Sequence, residues 1–225
     1  RFFINKVWNA GKFVLANIQG FDPASVKVDR DSLGLADKWI LTELNKTVSD
    51  VRTALDDYRF NDACDLLYQF TWHTFCDWYI ELAKPLLNTG SAPATKRVLT
   101  HVFTSILELM HPIVPFVTEE LWQLMPGHKG ESIVVAPYPK PDAGLDFPAE
   151  AAEMGTIIDI ISGVRSIRGE TNIPPSTGLD IVLRMKTAEI EEGVKAHEFL
   201  IRDLARVKSI GWLDQSAPRP KRTWS

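Results

Sequence analysis

The sequence predicts a mainly α protein, an antiparallel helical bundle followed by a small α/β unit, and three observations predict it. Through residues 2–124 apolar side chains recur at steps of three and four, with short polar breaks between the runs. Residues 126–148 gather five prolines and three glycines around one strand-like run, Ile133-Val134-Val135. Past residue 149 helical runs alternate with two short strand patterns. The expected organisation is a bundle at 1–125, an extended proline-rich linker wrapped on it at 126–148, and a helix-strand-helix-strand unit at 149–225.

The first helix is the least ordinary. From Phe2 to Ile18, the residues Phe3, Ile4, Val7, Trp8, Ala10, Val14, Leu15 and Ile18 gather on one apolar side. Phe13 falls on the polar side, in a row with Phe2, Lys6 and Asn9 at spacings of four, three and four. No acidic residue occurs before Asp22, although Arg1, Lys6 and Lys12 do, in a chain of net charge −4. A basic face bearing rings is what stacking on unpaired bases beside phosphates requires. A second layer of core under Phe2 and Phe13 explains the same spacing.

Residues 20–34 form a polar connection, after which Asp37 is placed to cap a second helix reaching about Tyr58, with Ile40, Leu44, Val48, Val51, Leu55 and Tyr58 on one face. A third, capped by Asn61 or Asp62, has a buried stripe of Phe60, Ala63, Leu67, Phe70, Phe75, Tyr79, Leu82 and Leu86. Its wet stripe is Asp65, Gln69, His73, Asp77 and Glu81, and Pro85 kinks or ends it. Trp72, Phe75 and Tyr79 read as core, with base contact as the alternative. A fourth helix runs from about Ala94 to Met110, and Pro115 opens a short fifth holding Phe116, Leu121 and Trp122.

In the last part, Met154, Ile157, Ile158, Ile161 and Val164 share one helix face that Arg165 and Arg168 continue. These two arginines either contact phosphates or complement a helix carboxy terminus. Leu179–Leu183 and Val207–Leu213 read as strands around a helix at 188–206, too few for a complete sheet unless Ile133-Val135 or further chain adds one. The basic stretch Pro218 to Arg222 reads as unstructured.

Composition narrows the function classes. A length of 225 residues with 45% hydrophobic and 24% charged residues is globular and fits one large or two small domains. No apolar run approaches the roughly 20 residues of a membrane span and no secretion signal pattern opens the chain, so a cytoplasmic protein is expected. A helical pattern already under way at Arg1 suggests a piece of something longer. The acidic net charge excludes indiscriminate coating of nucleic acid; any contact is local. Cys64 and Cys76 on one helix would lie about 18 Å apart, beyond disulfide reach. Without a Cys-x-x-Cys or a spaced His pair, no metal site is expected. His73, His101 and His111 read as structural.

Three stretches together go further: Asn5-Lys6-Val7-Trp8-Asn9 with Phe13-Val14-Leu15; Phe75-Cys76-Asp77-Trp78-Tyr79-Ile80-Glu81 with Lys84-Pro85; and the run from His111-Pro112 through Pro115-Phe116 to Glu119-Glu120-Leu121-Trp122. They resemble the anticodon-binding domain of the valyl-tRNA synthetases, class I aminoacyl-tRNA synthetases, over nearly the whole chain. Val164-Arg165-Ser166-Ile167-Arg168 and Asn172-Ile173-Pro174-Pro175 are similar to the segment that follows that domain. The His-Pro run is shared with isoleucyl and leucyl relatives; Phe-Cys-Asp-Trp-Tyr points to the valyl branch.

The resemblance implies a helical bundle of the class I anticodon-binding type that grips the anticodon arm of valine transfer RNA. It places Phe13 against a base by stacking and Lys6 against phosphate or base acceptors. Asn5 and Asn9 either read base edges or bond backbone, and Phe2, Phe75, Arg165 and Arg168 complete the candidate RNA-binding set. Neither His-x-Gly-His nor Lys-Met-Ser-Lys-Ser occurs. The resemblance therefore assigns ATP, Mg and the ligase chemistry to a catalytic domain outside this stretch, with no catalytic residue or cofactor here. It implies a monomer partnered by valine transfer RNA and that catalytic domain. An isoleucyl-type domain and a helical protein-interaction module are the competing readings.

Overall fold

The computed structural model describes residues 2–25, 29–128, 130–174 and 176–213. Its contacts divide the chain after Ala151 into two compact units.

In the first unit α1 (Phe2–Asn17) buries Val7, Ala10, Gly11 and Val14, with Ile18 just beyond its end. Ile4, expected on the apolar side, is 39% exposed. Gly11 marks the closest approach: a Cβ there would stand 2.7 Å from Leu121 Cδ2 and 3.2 Å from Phe103 Cζ. Only a residue without a side chain lets this helix settle so near its neighbours.

The second helix, α2 (Leu35–Asp56), starts earlier than the capping pattern predicts, because Gly34 and not Asp37 occupies the cap. Asp37 sits a turn inside, fully buried, where its carboxylate accepts from Tyr79 Oη at 2.7 Å and Thr95 Oγ1 at 3.0 Å. It also bonds the Gly34 backbone, so it serves the helix start from the third position.

The third predicted helix is a composite. α3 (Phe60–Tyr68) continues without a break into a π-helical stretch (Gln69–Tyr79) and then α4 (Ile80–Leu86), which holds Pro85. The stretch buries Phe70, Thr71, Phe75, Cys76 and Tyr79, and Ile80 follows. Phe70, Phe75 and Ile80, like Thr71 and Cys76, stand five apart. An α-helix turns about 140° beyond a full circle in five residues and would scatter them, whereas bonding to the fifth residue back brings them to one side. Phe60, expected in the buried stripe, is exposed.

The most enclosed element is α5 (Ala92–Met110), with Val98, Leu99, Val102, Phe103, Ile106 and Leu107 among its buried residues. A turn leads to α6 (Pro115–Leu124), whose first residue is proline. The His-Pro run is mostly scaffold. His111 Nδ1 lies 2.8 Å from Thr118 Oγ1, Thr118 and Trp122 are buried, and Glu119 Oε2 accepts from Ser132 Oγ and the Ile133 N–H. Phe116 of the same run is exposed.

Ile133–Val135, expected as a strand, is a 3-10 turn with Ile133 buried. The segment it belongs to is bonded along α2. Arg52 Nη1 donates to the Pro139 carbonyl, Asn45 exchanges two hydrogen bonds with the Asp142 backbone, and the Phe147 N–H donates to Thr42 Oγ1. With little regular structure of its own, the segment has its backbone groups satisfied by side chains of the bundle.

From α7 (Pro148–Glu170) onward the face predicted from spacing is inside: Met154, Ile157, Ile161, Val164 and Arg168 are buried. In the second unit β1 (Leu179–Leu183) pairs in parallel with β2 (Val207–Trp212), Ile181 opposite Ile210, after a register irregularity at Leu179/Asp180. The single helix expected between them is two, α8 (Ala188–Ala196) and α9 (Glu198–Ala205), broken at His197. Among the described residues these are the only strands. The basic stretch at 218–222 lies outside the described residues.

Candidate nucleic-acid interface

One side of α1 is buried and the other carries the predicted row, so the helix presents Phe2, Asn5, Lys6, Asn9 and Phe13 along its outer and lateral surface. Phe2 is 83% exposed at the helix start. Asn5 and Asn9 are exposed, and among the described residues neither amide bonds backbone or side chain, leaving both edges open. Phe13 is half-buried at the margin of the helix, neither core nor fully solvated.

What bounds this row is the composite helix. Lys6 Nζ donates to Asp77 Oδ1 at 2.5 Å and lies 4.4 Å from the centre of the Trp72 ring. Asp77 Oδ2 in turn stands 3.1 Å from His73 Nδ1. Farther along, Lys84 Nζ lies 6.0 Å from the Phe13 ring centre while pairing with Glu81 at 2.5 Å. Lys6 faces Asp77, and seven residues later on each helix Phe13 faces Lys84, so the two helices run side by side in the same direction. The seam between them has one ammonium–carboxylate rung and one ring–ammonium rung. Their separation is about 10 Å along the axis.

Trp72 joins Phe3 and Tyr68 in a cluster of rings, with Phe3 and Trp72 stacked at 6.3 Å and Tyr68 and Trp72 at 5.5 Å between centroids. Trp72 is half-buried there, at the surface beneath Lys6, whereas Tyr79 is fully enclosed. Cys76, beside Asp77, is buried, and burial pushes its thiol up to about 12; Cys64 is exposed and both are free.

For three candidates the structure shows the other of the two roles that the sequence left open. Phe75 has no exposed surface and stacks on Phe103 at 5.8 Å, so it is core and touches no ligand. Arg168, 7% exposed, donates to the carbonyls of Ala205, Pro174 and Arg206. Arg165 is exposed and donates to the Leu204 carbonyl through Nε and Nη2. Leu204 and Ala205 end α9 and left-handed Arg206 caps it, so both arginines satisfy orphan carbonyls of a helix other than their own. The candidate that spacing missed is Asp77. Its place on the wet stripe of the third helix was visible, but its partner Lys6 lies 71 residues away in sequence.

Among the described residues no three His, Cys, Asp or Glu side chains are grouped to hold a metal ion, and no described helix is long and apolar enough to cross a membrane.

Comparison with known proteins identifies the family. Residues 37–183 match the family model of the anticodon-binding domain of tRNA ligase. The chain is 43% identical to the valine-tRNA ligase of Geobacter sulfurreducens, over 98% of this chain and 25% of that protein. It is 42% identical to the enzyme of Syntrophotalea carbinolica over 94% of this chain and 24% of that one. With the valine-tRNA ligase of Latilactobacillus sakei it shares 43% identity over 92% of this chain and 24% of that protein. The chain thus spans about a quarter of the length of these curated relatives. α1 precedes the residues matched by the family model.

Proposed function

The chain belongs to the family of anticodon-binding domains of tRNA ligases, and from that premise we propose that it recognises the anticodon arm of valine transfer RNA through α1 and the seam beside it. ATP-dependent attachment of valine, with its ATP and Mg, falls to a catalytic domain outside this chain. The observation that carries the reading is the placement of Phe13, Asn9 and Lys6. One helix docks by Val7, Gly11 and Val14 and keeps an accessible ring, an unbonded amide and an ammonium on its remaining surface.

Each group has a part that its surroundings permit. The Phe13 ring offers a stacking platform worth about 1–3 kcal/mol per base. Lys84 supplies positive charge beside that ring for the adjoining phosphate, and Lys6, anchored by Asp77, keeps ammonium hydrogens for an acceptor on the RNA. Asn5 and Asn9, with no hydrogen-bond partner among the described residues, are available to base edges.

The test is an anisotropy titration of the chain with two anticodon stem-loops, valine and isoleucine types, each at two salt concentrations. Wild type binds the valine stem-loop more tightly, and Phe13→Ala weakens that binding by about 1–3 kcal/mol and narrows the preference. Unchanged discrimination in the variant would remove Phe13 from the reading. Equal binding of both stem-loops by wild type would remove valine.

A further inference from the structure

One face of α5 carries Arg97, His101, Thr104 and Glu108 at spacings of four, three and four. These four side chains, with Trp122 and His128, line a cavity of about 440 Å³ within the first unit. Cavities of this size with a few convergent polar groups are where small ligands bind. The polar groups here are short of partners. His128 Nδ1 is buried without a hydrogen bond. Among the described residues the half-buried Arg97 guanidinium, the His101 ring and the Thr104 hydroxyl make no hydrogen bond or ion pair either. Glu108 has one described partner, Trp122 Nε1 at 3.4 Å, and burial raises its carboxyl against that bond. Enclosed polar groups are ordinarily bonded, so several left short around one cavity mark the place of a molecule that completes them.

The cavity is polarised along the helix. At one end Arg97, His101 and Thr104 offer a guanidinium, an imidazole and a hydroxyl, a donor set suited to phosphate oxygens. Asp142 lines the adjoining cavity of about 250 Å³ with Arg97 and His101, and its Oδ1 accepts from the Gly144 N–H. At the other end Glu108 and His128 both meet the Trp122 indole, the first through that bond and the second at 4.3 Å between ring centroids. A carboxylate short of donors beside an unbonded imidazole nitrogen is complementary to an exocyclic amino group beside an accepting ring nitrogen, with Nδ1 carrying its proton. Uracil and hypoxanthine put a carbonyl and a ring N–H in those places, and carbonyl and carboxylate then meet as two acceptors. His101 and Glu108 stand seven residues apart, about 10.5 Å along α5. That is the length of a nucleoside monophosphate from its phosphate to the far edge of its base. Pro126 and Pro137 supply apolar wall for sugar and ring faces.

We propose that this cavity binds a nucleoside monophosphate with an amino-bearing base, adenine or cytosine, its phosphate held by Arg97, His101 and Thr104 and its amino group by Glu108. The site does not rest on the anticodon-binding reading, because no residue of the α1 row lines it. A single nucleotide is favoured over a stretch of RNA backbone because the two ends ask for different groups of one molecule. The Glu108 end repels a second phosphate.

Titration calorimetry of the 225-residue chain tests this with AMP, CMP, IMP, UMP, adenosine and cytidine as probes, circular dichroism confirming the fold of each variant. The better of AMP and CMP should saturate below about 1 mM. Its nucleoside should bind at least about tenfold more weakly, and its carbonyl counterpart, IMP or UMP, at least about fivefold more weakly. Arg97→Met keeps the aliphatic stem and should bring the nucleotide to within about threefold of its nucleoside. In Glu108→Gln the amide serves an amino group or a carbonyl, so the preference for the amino-bearing base should fall below about twofold. Should that variant misfold, His128→Phe, which keeps a ring on Trp122 and removes the nitrogen, decides by the same preference. No saturation with AMP or CMP by about 10 mM overturns the proposal. So does equal binding of all six probes, or nucleotide binding that Arg97→Met and Glu108→Gln leave unchanged. If a valine-type stem-loop displaces the nucleotide and itself loses affinity in Arg97→Met, Arg97 holds an RNA phosphate and the nucleotide site falls.

Discussion

Asp37 links three elements through a single side chain, since the hydroxyls that reach it come from Tyr79 of the π-helical stretch and Thr95 of α5. Asp37→Ala leaves both hydroxyls buried without an acceptor, and a loss of about 2–5 kcal/mol in urea unfolding is the expected outcome. Burial is the largest influence on this carboxyl and raises it, against the lowering by Tyr79, Thr95 and Gly34. The sign follows: with the folded value above the unfolded one, the proton-linked stability is fully present below the unfolded value and is lost as pH rises through the folded value. Wild type should therefore lose stability relative to Asp37→Asn as pH rises above about 4, the unfolded value, read from urea midpoints over a pH series. At the cysteines, the buried Cys76 thiol with its raised value stays protonated, so iodoacetamide on the native chain should label Cys64 alone, as peptide mass mapping would read. None of these neighbours is near in sequence. Asp37 had the features of a cap, and only the packing of α5 beneath it made it a buried acceptor.

At the scale of elements, α1 is held by a contact that its residue types only half announce. Gly11 in mid-helix costs up to about 1 kcal/mol against alanine in propensity. The 2.7 Å approach of a Cβ to Leu121, itself fully buried, explains the glycine, because overpacking costs about 1–3 kcal/mol. Gly11→Val adds two further methyls without alanine's propensity, so the clash wins. A loss of about 2 kcal/mol or more on thermal or urea unfolding is expected, with weakened stem-loop binding as α1 lifts. The composite helix was more legible than it first looks. The step from Phe70 to Phe75 is five residues, the spacing that the π-helical stretch brings to one side. Its fourfold wet stripe, His73 to Asp77 to Glu81, suits an ordinary helix equally, and local sequence does not choose between the two. The strand expected at Ile133–Val135 failed for a different reason: β-branched residues favour extension only where a neighbouring strand can pair, and here Ser132 and Glu119 fold the segment into a turn.

Across the whole molecule, stability should be uneven. α5 is enclosed along most of its length, whereas in the second unit the strands following α7 form only a two-stranded sheet with alternate residues of β1 exposed, beside two short helices. Native-state hydrogen exchange should give the α5 amides the highest opening free energy and the β1 and β2 amides a lower one; equal protection would contradict this. The sequence by itself determined the number and order of the bundle helices, the apolar face of α7, the paired strand patterns of the second unit and the row of Lys6, Asn9 and Phe13 on α1. All of these follow from periodicity within one segment, where neighbours in space are neighbours in sequence. Only the tertiary structure decided that Arg165 and Arg168 satisfy the carbonyl end of α9, a helix other than their own, and that Lys6 is paired with Asp77 across a seam. Those outcomes depend on which surfaces meet over long separations, and burial or hydrogen-bond satisfaction, rather than residue type, then assigns the role.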